Sequence, residues 1–275
     1  MKPSVHSELT SERWAAFAAS QSLFSSSPIP GIELFEMPDF SRLQVSESSI
    51  LMRPQGKQME ALLALAIAAD ERYELLKHGL QVADHGITIG ELDFLIYDHK
   101  NSKVLHVELA YKYYIHDRQE GAGLFEPWIG PGRKDKMNWK LEQLAQRSFP
   151  LLHHPLTKPL LKELDIDPEK IEQRLCFLGE LFLAEGETSW DDTILNHKSH
   201  AGTWMSLENF LAKDWGNQAF SIPLKQDWIL PYNPTNTFTA VETKKSVKGF
   251  LETGKVPMLK FKKEGENQSM LITRE

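Results

Sequence analysis

One cysteine, Cys176, stands in 275 residues. This excludes an internal disulfide and a thiolate zinc site. No apolar run approaches the roughly 18 residues that a membrane span needs. The opening residues, MKPSVHSELT, lack the charged-then-apolar order of a secretion signal. A soluble, cytoplasmic protein is therefore expected. Basic residues are outnumbered, 31 Lys and Arg against 38 Asp and Glu, for a formal net charge of -7. That balance argues against a protein that coats nucleic acid nonspecifically, and leaves room for an enzyme with a local basic groove. Internal repeats and low-complexity linkers are also lacking. What remains is ordinary for a globular chain, with 41% hydrophobic and 25% charged residues. The length permits one large domain or two small ones.

Along the chain, residues 1–54 read as a peripheral segment with a short helix over 11–19. Residues 57–76 read as a helix, because Met59, Leu62, Leu63, Ala66 and Ile67 recur at helical spacing. Gly79 is its expected stop. The period then changes. LQVAD, GELDFLIYD and VLHVELAYKYYI alternate or run apolar, as strands do. EGAGLFEPWIGPGR is a Gly- and Pro-rich loop. Helices are expected over 134–147, 157–164 and 168–173, then a strand over 174–184. Residues 185–222 are mixed, WILPYNPTNT is loop-like, and 256–263 reads as the last strand. The segments divide as 1–54, a core over 55–150, and 151–275 as a continuation of the same domain. The order points to an α/β or α+β domain on one central sheet.

The strands over 89–115 carry the most chemistry. Leu105, Val107, Leu109, Tyr111, Tyr113 and Ile115 share one side, expected to be the core face. His106, Glu108, Ala110, Lys112 and Tyr114 share the other. On the preceding strand Glu91 and Asp93 share a face with Leu95 and Tyr97. The short polar connection DHKNSK suits an antiparallel hairpin. If Tyr97 pairs with Val104, Asp93 lies opposite Glu108, with Cβ atoms about 5 Å apart. A one-residue slip would move one carboxylate to the other face. Two ionised carboxylates that close repel, and a divalent cation turns the repulsion into binding. The same geometry also suits two solvated surface acids neutralised by Lys112.

GELDFLIYD followed by VLHVELAYKYYI resembles the PD-(D/E)XK nuclease-like superfamily, whose core sets a helix acid, a strand Asp and a Glu-x-Lys. More closely, KQMEALLALAI, TIGELDFL to HVELAYKYY, and WIGPGRKDKMNWKLEQL are similar to the bacterial family described as domain of unknown function 1853. The likeness is strongest over residues 55–150. It implies a restriction-endonuclease-like central mixed sheet flanked by helices. It implies Mg²⁺ or Mn²⁺ on Asp93 and Glu108, Glu60 as the helix acid, and Lys112 as the base-positioning or charge-stabilising ammonium. The implied reaction is phosphodiester hydrolysis, with nucleic acid as the partner; Arg133 and Lys140 are the candidate substrate-binding cations. The pattern departs at one place. Ala110 occupies the expected lysine position, and Lys112 lies about 7 Å further along the strand. Lys140 is the candidate substitute. Glu71 and Glu74 are alternative helix acids. Because of Ala110, the alternative is a non-catalytic nucleic-acid-binding or protein-assembly module that retains the fold.

Weaker candidates flank these. Glu91 suits an outer acid or a solvated strand end, and His106 a ligand or a structural histidine. Arg133 suits a phosphate contact, or the loop simply needs its shape. Residues 244–263 hold seven lysines and one acid, Glu252, which reads as a backbone-tracking strip or as a solvated face. His153, His154, His197 and His200 have no metal spacing. Trp190, Trp204, Trp215 and Trp228 read as packing residues.

Overall fold

The computed structural model describes residues 5–42, 53–190 and 193–274, with the side chains of 5–10 and 42 excepted. Part of the expected peripheral segment, 43–52, lies outside the described residues. The fold is mixed α/β, with helices α1 (Val5–Ala18), α2 (Gln55–Ala69), α3 (Met137–Gln143), α4 (Thr157–Glu163), α5 (Leu207–Ala212) and α6 (Ala240–Glu252). The long strands are β2 (Tyr73–Asp84), β3 (Ile87–Asp98), β4 (Lys103–His116), β6 (Ile171–Ala184), β7 (His200–Ser206), β8 (Met258–Lys263) and β9 (Glu266–Thr273). They form a mixed sheet in the order β2-β3-β4-β6-β7-β9-β8, with two-residue strands β1 (Glu33–Leu34) on β6 and β5 (Trp128–Ile129) on β4. The chain divides into two compact units, and β4 and β6 each pass from one to the other, after Tyr111 and after Leu178.

In the first unit the apolar stripe of α2 is buried as its spacing predicts, at Met59, Leu62, Leu63, Ala66 and Ile67. The helix is shorter than expected. It ends at Ala69, Asp70 is extended, and β2 begins at Tyr73. Leu75 and Leu76 fit either period, and ladder bonding to β3 decides between them. Gly79 is thus no helix stop. It lies inside β2 at φ 65°, where its missing Cβ would meet Glu91 Oε1 at 3.3 Å.

The β3–β4 hairpin has the expected register from Asp98↔Lys103 through Tyr97↔Val104 to Phe94↔Val107. Its two faces are not the expected core and solvent pair. His106 and Leu95 are fully buried on the supposed outer face. Leu95 packs in a cluster with Val82, Leu92, Leu151, Leu152, Leu161, Ile166 and Ile171. The helix expected over 134–147 is α3 followed by a wide π turn, Leu144–Ser148, and a 3₁₀ turn, Phe149–His153. Pro150 has no N–H for a helical bond, so the tighter turn takes over. The helix expected over 168–173 is a single turn, Pro168–Lys170, because Ile171 already pairs as strand.

The second unit packs around Met205, Phe210, Phe220, Val247, Leu251, Leu259, Phe261, Met270 and Ile272. β7, α5 and α6 stand where the sequence shows mixed or no clear periodicity. Thr239 and Glu242 form a capping box at the start of α6. The strand at 256–263 is real as β8 but is not the last. β9 returns beside it after Gly265. The lysine-rich segment is divided. Lys244 Nζ donates to Leu211 O and Lys213 O at 2.7 and 2.9 Å, and Lys260 is buried. Lys245, Lys248, Lys255, Lys262 and Lys263 are exposed. Trp190 and Trp228 are buried, and Trp204 and Trp215 half-buried.

Candidate functional site

The acids of interest lie in the first unit, on α2, β3 and β4. The β3–β4 ladder ends at Phe94↔Val107. One residue on, Asp93 Oδ2 accepts the backbone N–H of Leu109 at 2.9 Å. A side chain thus takes the amide where the ladder stops, and the acids gather at this opening. Burial pushes the Asp93 carboxyl up to about 7, with the charges of Glu108, Glu60 and Glu91 adding to the rise and the Leu109 bond opposing it. Glu60 therefore shares the electrostatic neighbourhood of Asp93. Glu71 and Glu74 lie beyond the end of α2 and are exposed, so neither is a helix acid.

Glu108 is only 4% exposed, which removes the reading of solvated surface acids. Its Oε1 lies 2.9 Å from His106 Nε2. His106 Nδ1 lies 3.0 Å from Gln173 Nε2, which also donates to Phe149 O at 2.8 Å. Glu60 is bound by Lys57 at 2.6 Å, and the same ammonium reaches Glu91 Oε1 at 3.4 Å. His78 Nε2 is 3.9 Å from Glu60, and its ring stacks on Phe94 at 4.7 Å. Burial lowers the pKa of His78. Cys176 is buried nearby. Desolvation and then the Asp93 charge raise its thiol pKa, so it stays an inert thiol.

The donor set of Asp93 and Glu108 is all oxygen, which suits Mg²⁺ with water filling most positions. Among the described residues, no group of three or more His, Cys, Asp or Glu side chains is arranged to hold a metal ion by itself.

The expected cations are engaged elsewhere. Lys112, in the second unit, binds Asp135 at 2.5 Å. Arg133, also in the second unit, donates to Asp117 at 2.7 Å and Glu120 at 2.9 Å, while Lys136 binds Glu120 at 2.8 Å. Arg133 itself has φ 56°, and its N–H donates to Gly130 O. The Trp-Gly-Pro-Arg segment therefore closes the loop over 117–136 on itself. Lys140, in the first unit, donates to Gln143 of its own helix at 3.0 Å.

Sequence reasoning missed three side chains here. Lys57 had a signal, since it precedes Glu60 by three residues on a helix. His78 lies between the expected helix over 57–76 and its stop at Gly79, and Gln173 in an expected helix, whereas both are strand residues.

A family model described as Domain of unknown function (DUF1853) matches residues 37–271. The chain belongs to this family. No curated protein and no solved structure matches it. The DUF1853 match contains Glu60, Asp93, Glu108, Lys112, Arg133 and Lys140.

Proposed function

We propose that this chain is a divalent-cation-dependent phosphodiesterase of the PD-(D/E)XK nuclease type, acting on nucleic acid. One observation carries the reading: Asp93 stands where the β3–β4 ladder opens, its pKa raised first by burial and then by the charges of Glu108, Glu60 and Glu91. Such crowding costs stability unless a cation or a proton relieves it. Asp93 and Glu108 would hold Mg²⁺ or Mn²⁺. Bound there, the ion would lower the pKa of a coordinated water and offset charge growing on the phosphate. Asp93 sheds its proton on loading, so affinity for the ion rises with pH up to about 7. Glu60 lies outside the pair, bound by Lys57, and serves as the third acid of the pattern.

The test is stability and cleavage together. Mn²⁺ is expected to raise the melting temperature of the wild type and not that of Asp93→Ala. Cleavage of single-stranded DNA, duplex DNA or RNA with Mn²⁺ is expected to be lost in Glu108→Ala. No Mn²⁺ shift in the wild type would sink the cation site. The non-catalytic reading draws on Ala110 and on the Lys112–Asp135 pair. A Mn²⁺ shift without cleavage of any of these substrates would favour it.

A further inference from the structure

The chain Glu108–His106–Gln173–Phe149 permits a proton assignment. Phe149 O can only accept, so the Gln173 group facing it at 2.8 Å is the NH₂. The same nitrogen lies 3.0 Å from His106 Nδ1. Its second hydrogen is available there, so Nδ1 accepts and carries no proton. A neutral imidazole then has its proton on Nε2, which faces Glu108 Oε1 at 2.9 Å. Each of the three bonds then has one donor and one acceptor. The opposite tautomer would set Nδ1–H against an amide N–H and a bare Nε2 against a carboxylate.

We propose that His106, held as its Nε2–H tautomer by Gln173, positions Glu108 for cation binding. The proposal rests on the divalent-cation reading of Glu108. One carboxylate oxygen is committed to the imidazole, which fixes the plane of the group. Oε2 is left to meet the ion. His106 is fully buried against Phe149, ring centroids 5.9 Å apart, so it has no direct route to substrate and acts through Glu108 alone. Gln173 is half-buried and lines an open cleft of about 360 Å³ with Phe149 and Pro150. Replacing it therefore leaves no closed core cavity. Outer-shell partners of this kind are worth about 10–100-fold in metal affinity.

Two measurements test this. Long-range ¹H–¹⁵N spectra of ring-labelled protein, with His106 assigned by comparison with His106→Gln, should show Nε2 protonated and Nδ1 bare. Gln173→Leu removes the donor to Nδ1 and should shift the Nδ1 resonance, while Glu108 still accepts from Nε2–H. A protonated Nδ1 with a bare Nε2 in the wild type overturns the assignment whatever the metal does. Mn²⁺ affinity, measured by calorimetry, supplies the second arm. His106→Gln keeps an N–H near Glu108, and His106→Leu does not, while both lose the ring. The expected result is near wild-type affinity for His106→Gln and about a 10–100-fold loss for His106→Leu. Equal losses in the two variants would mean the ring only packs, and positioning fails while the site stands. If the wild type binds no Mn²⁺, the cation site and the positioning role fail together, and the spectra still decide the hydrogen bond.

Discussion

Asp93 is an acid held in a place that disfavours its charge. Its folded pKa is about 7 against 3.8 for the free side chain. Folding therefore favours the protonated form, and stability falls as pH rises from about 4 to about 7. Asp93→Asn retains an acceptor for Leu109 N–H and removes the titration. In metal-free buffer the variant is expected to match the wild type near pH 4 and exceed it at pH 8, by on the order of 1–2 kcal/mol. Urea unfolding at the two pH values checks this, and a gap that does not grow with pH would refute it. Asp98 has the opposite sign. It accepts from Arg72 Nε and Nη2 at 3.0 and 2.8 Å and from Asn101 Nδ2 at 2.8 Å. The Arg72 bond leads in holding its carboxyl at about 2. That stability is present above about 4 and is lost as pH falls toward 2.

Elements explain why Asp98 matters. Its carboxylate closes the β3–β4 turn, also accepting Lys100 N–H, while Arg72 holds it from the approach to β2. Removing Asp98 leaves the Lys100 N–H without its acceptor and leaves Arg72 with Glu36 as its carboxylate partner. Asp98→Ala is expected to cost about 1–3 kcal/mol in denaturant. Gly179 on β6 sets a harder limit. Its φ is 152°, and a Cβ there would fall 1.8 Å from Lys112 O on β4. Gly179→Ala is expected to yield little folded protein, and a wild-type melting curve would contradict that.

The hairpin was legible in the sequence because alternation and turn length fix a register, and Tyr97↔Val104 is indeed paired. The opening at Asp93 was not, because it depends on a side chain bonding Leu109 N–H, which alternation does not encode. The apolar stripe of α2 was legible, and its end was not, since leucines at 75 and 76 satisfy both periods. His106 looked like a polar-face residue. Its ring packs against Phe149, in a turn that comes 43 positions later in the chain.

For the molecule as a whole, a net charge of -7 means that any polyanion must meet locally concentrated cations. Lys245, Lys248, Lys255, Lys262 and Lys263 are the exposed ones in the basic segment. The Lys245→Glu, Lys248→Glu double variant is expected to weaken duplex DNA binding. It should also flatten the salt dependence by about 2 in the log–log slope. Fluorescence anisotropy across a salt series reads both, and an unchanged slope would remove the strip from the interface. The family match from 37 to 271 takes in these lysines as well as the acids.

The π turn at Leu144–Ser148 has a consequence for how this chain tolerates insertions and deletions. Such a turn holds one residue more than an α-helical turn. Deleting a single residue there would let the turn close with α-type bonds as far as Pro150, which has no N–H to give. The helical residues that follow, Phe149–His153, would then rotate by about 100° about the helix axis. The carbonyl of Phe149 would leave Gln173, although neither residue had changed. Chain length at this turn, as much as residue identity, keeps Glu108 supported.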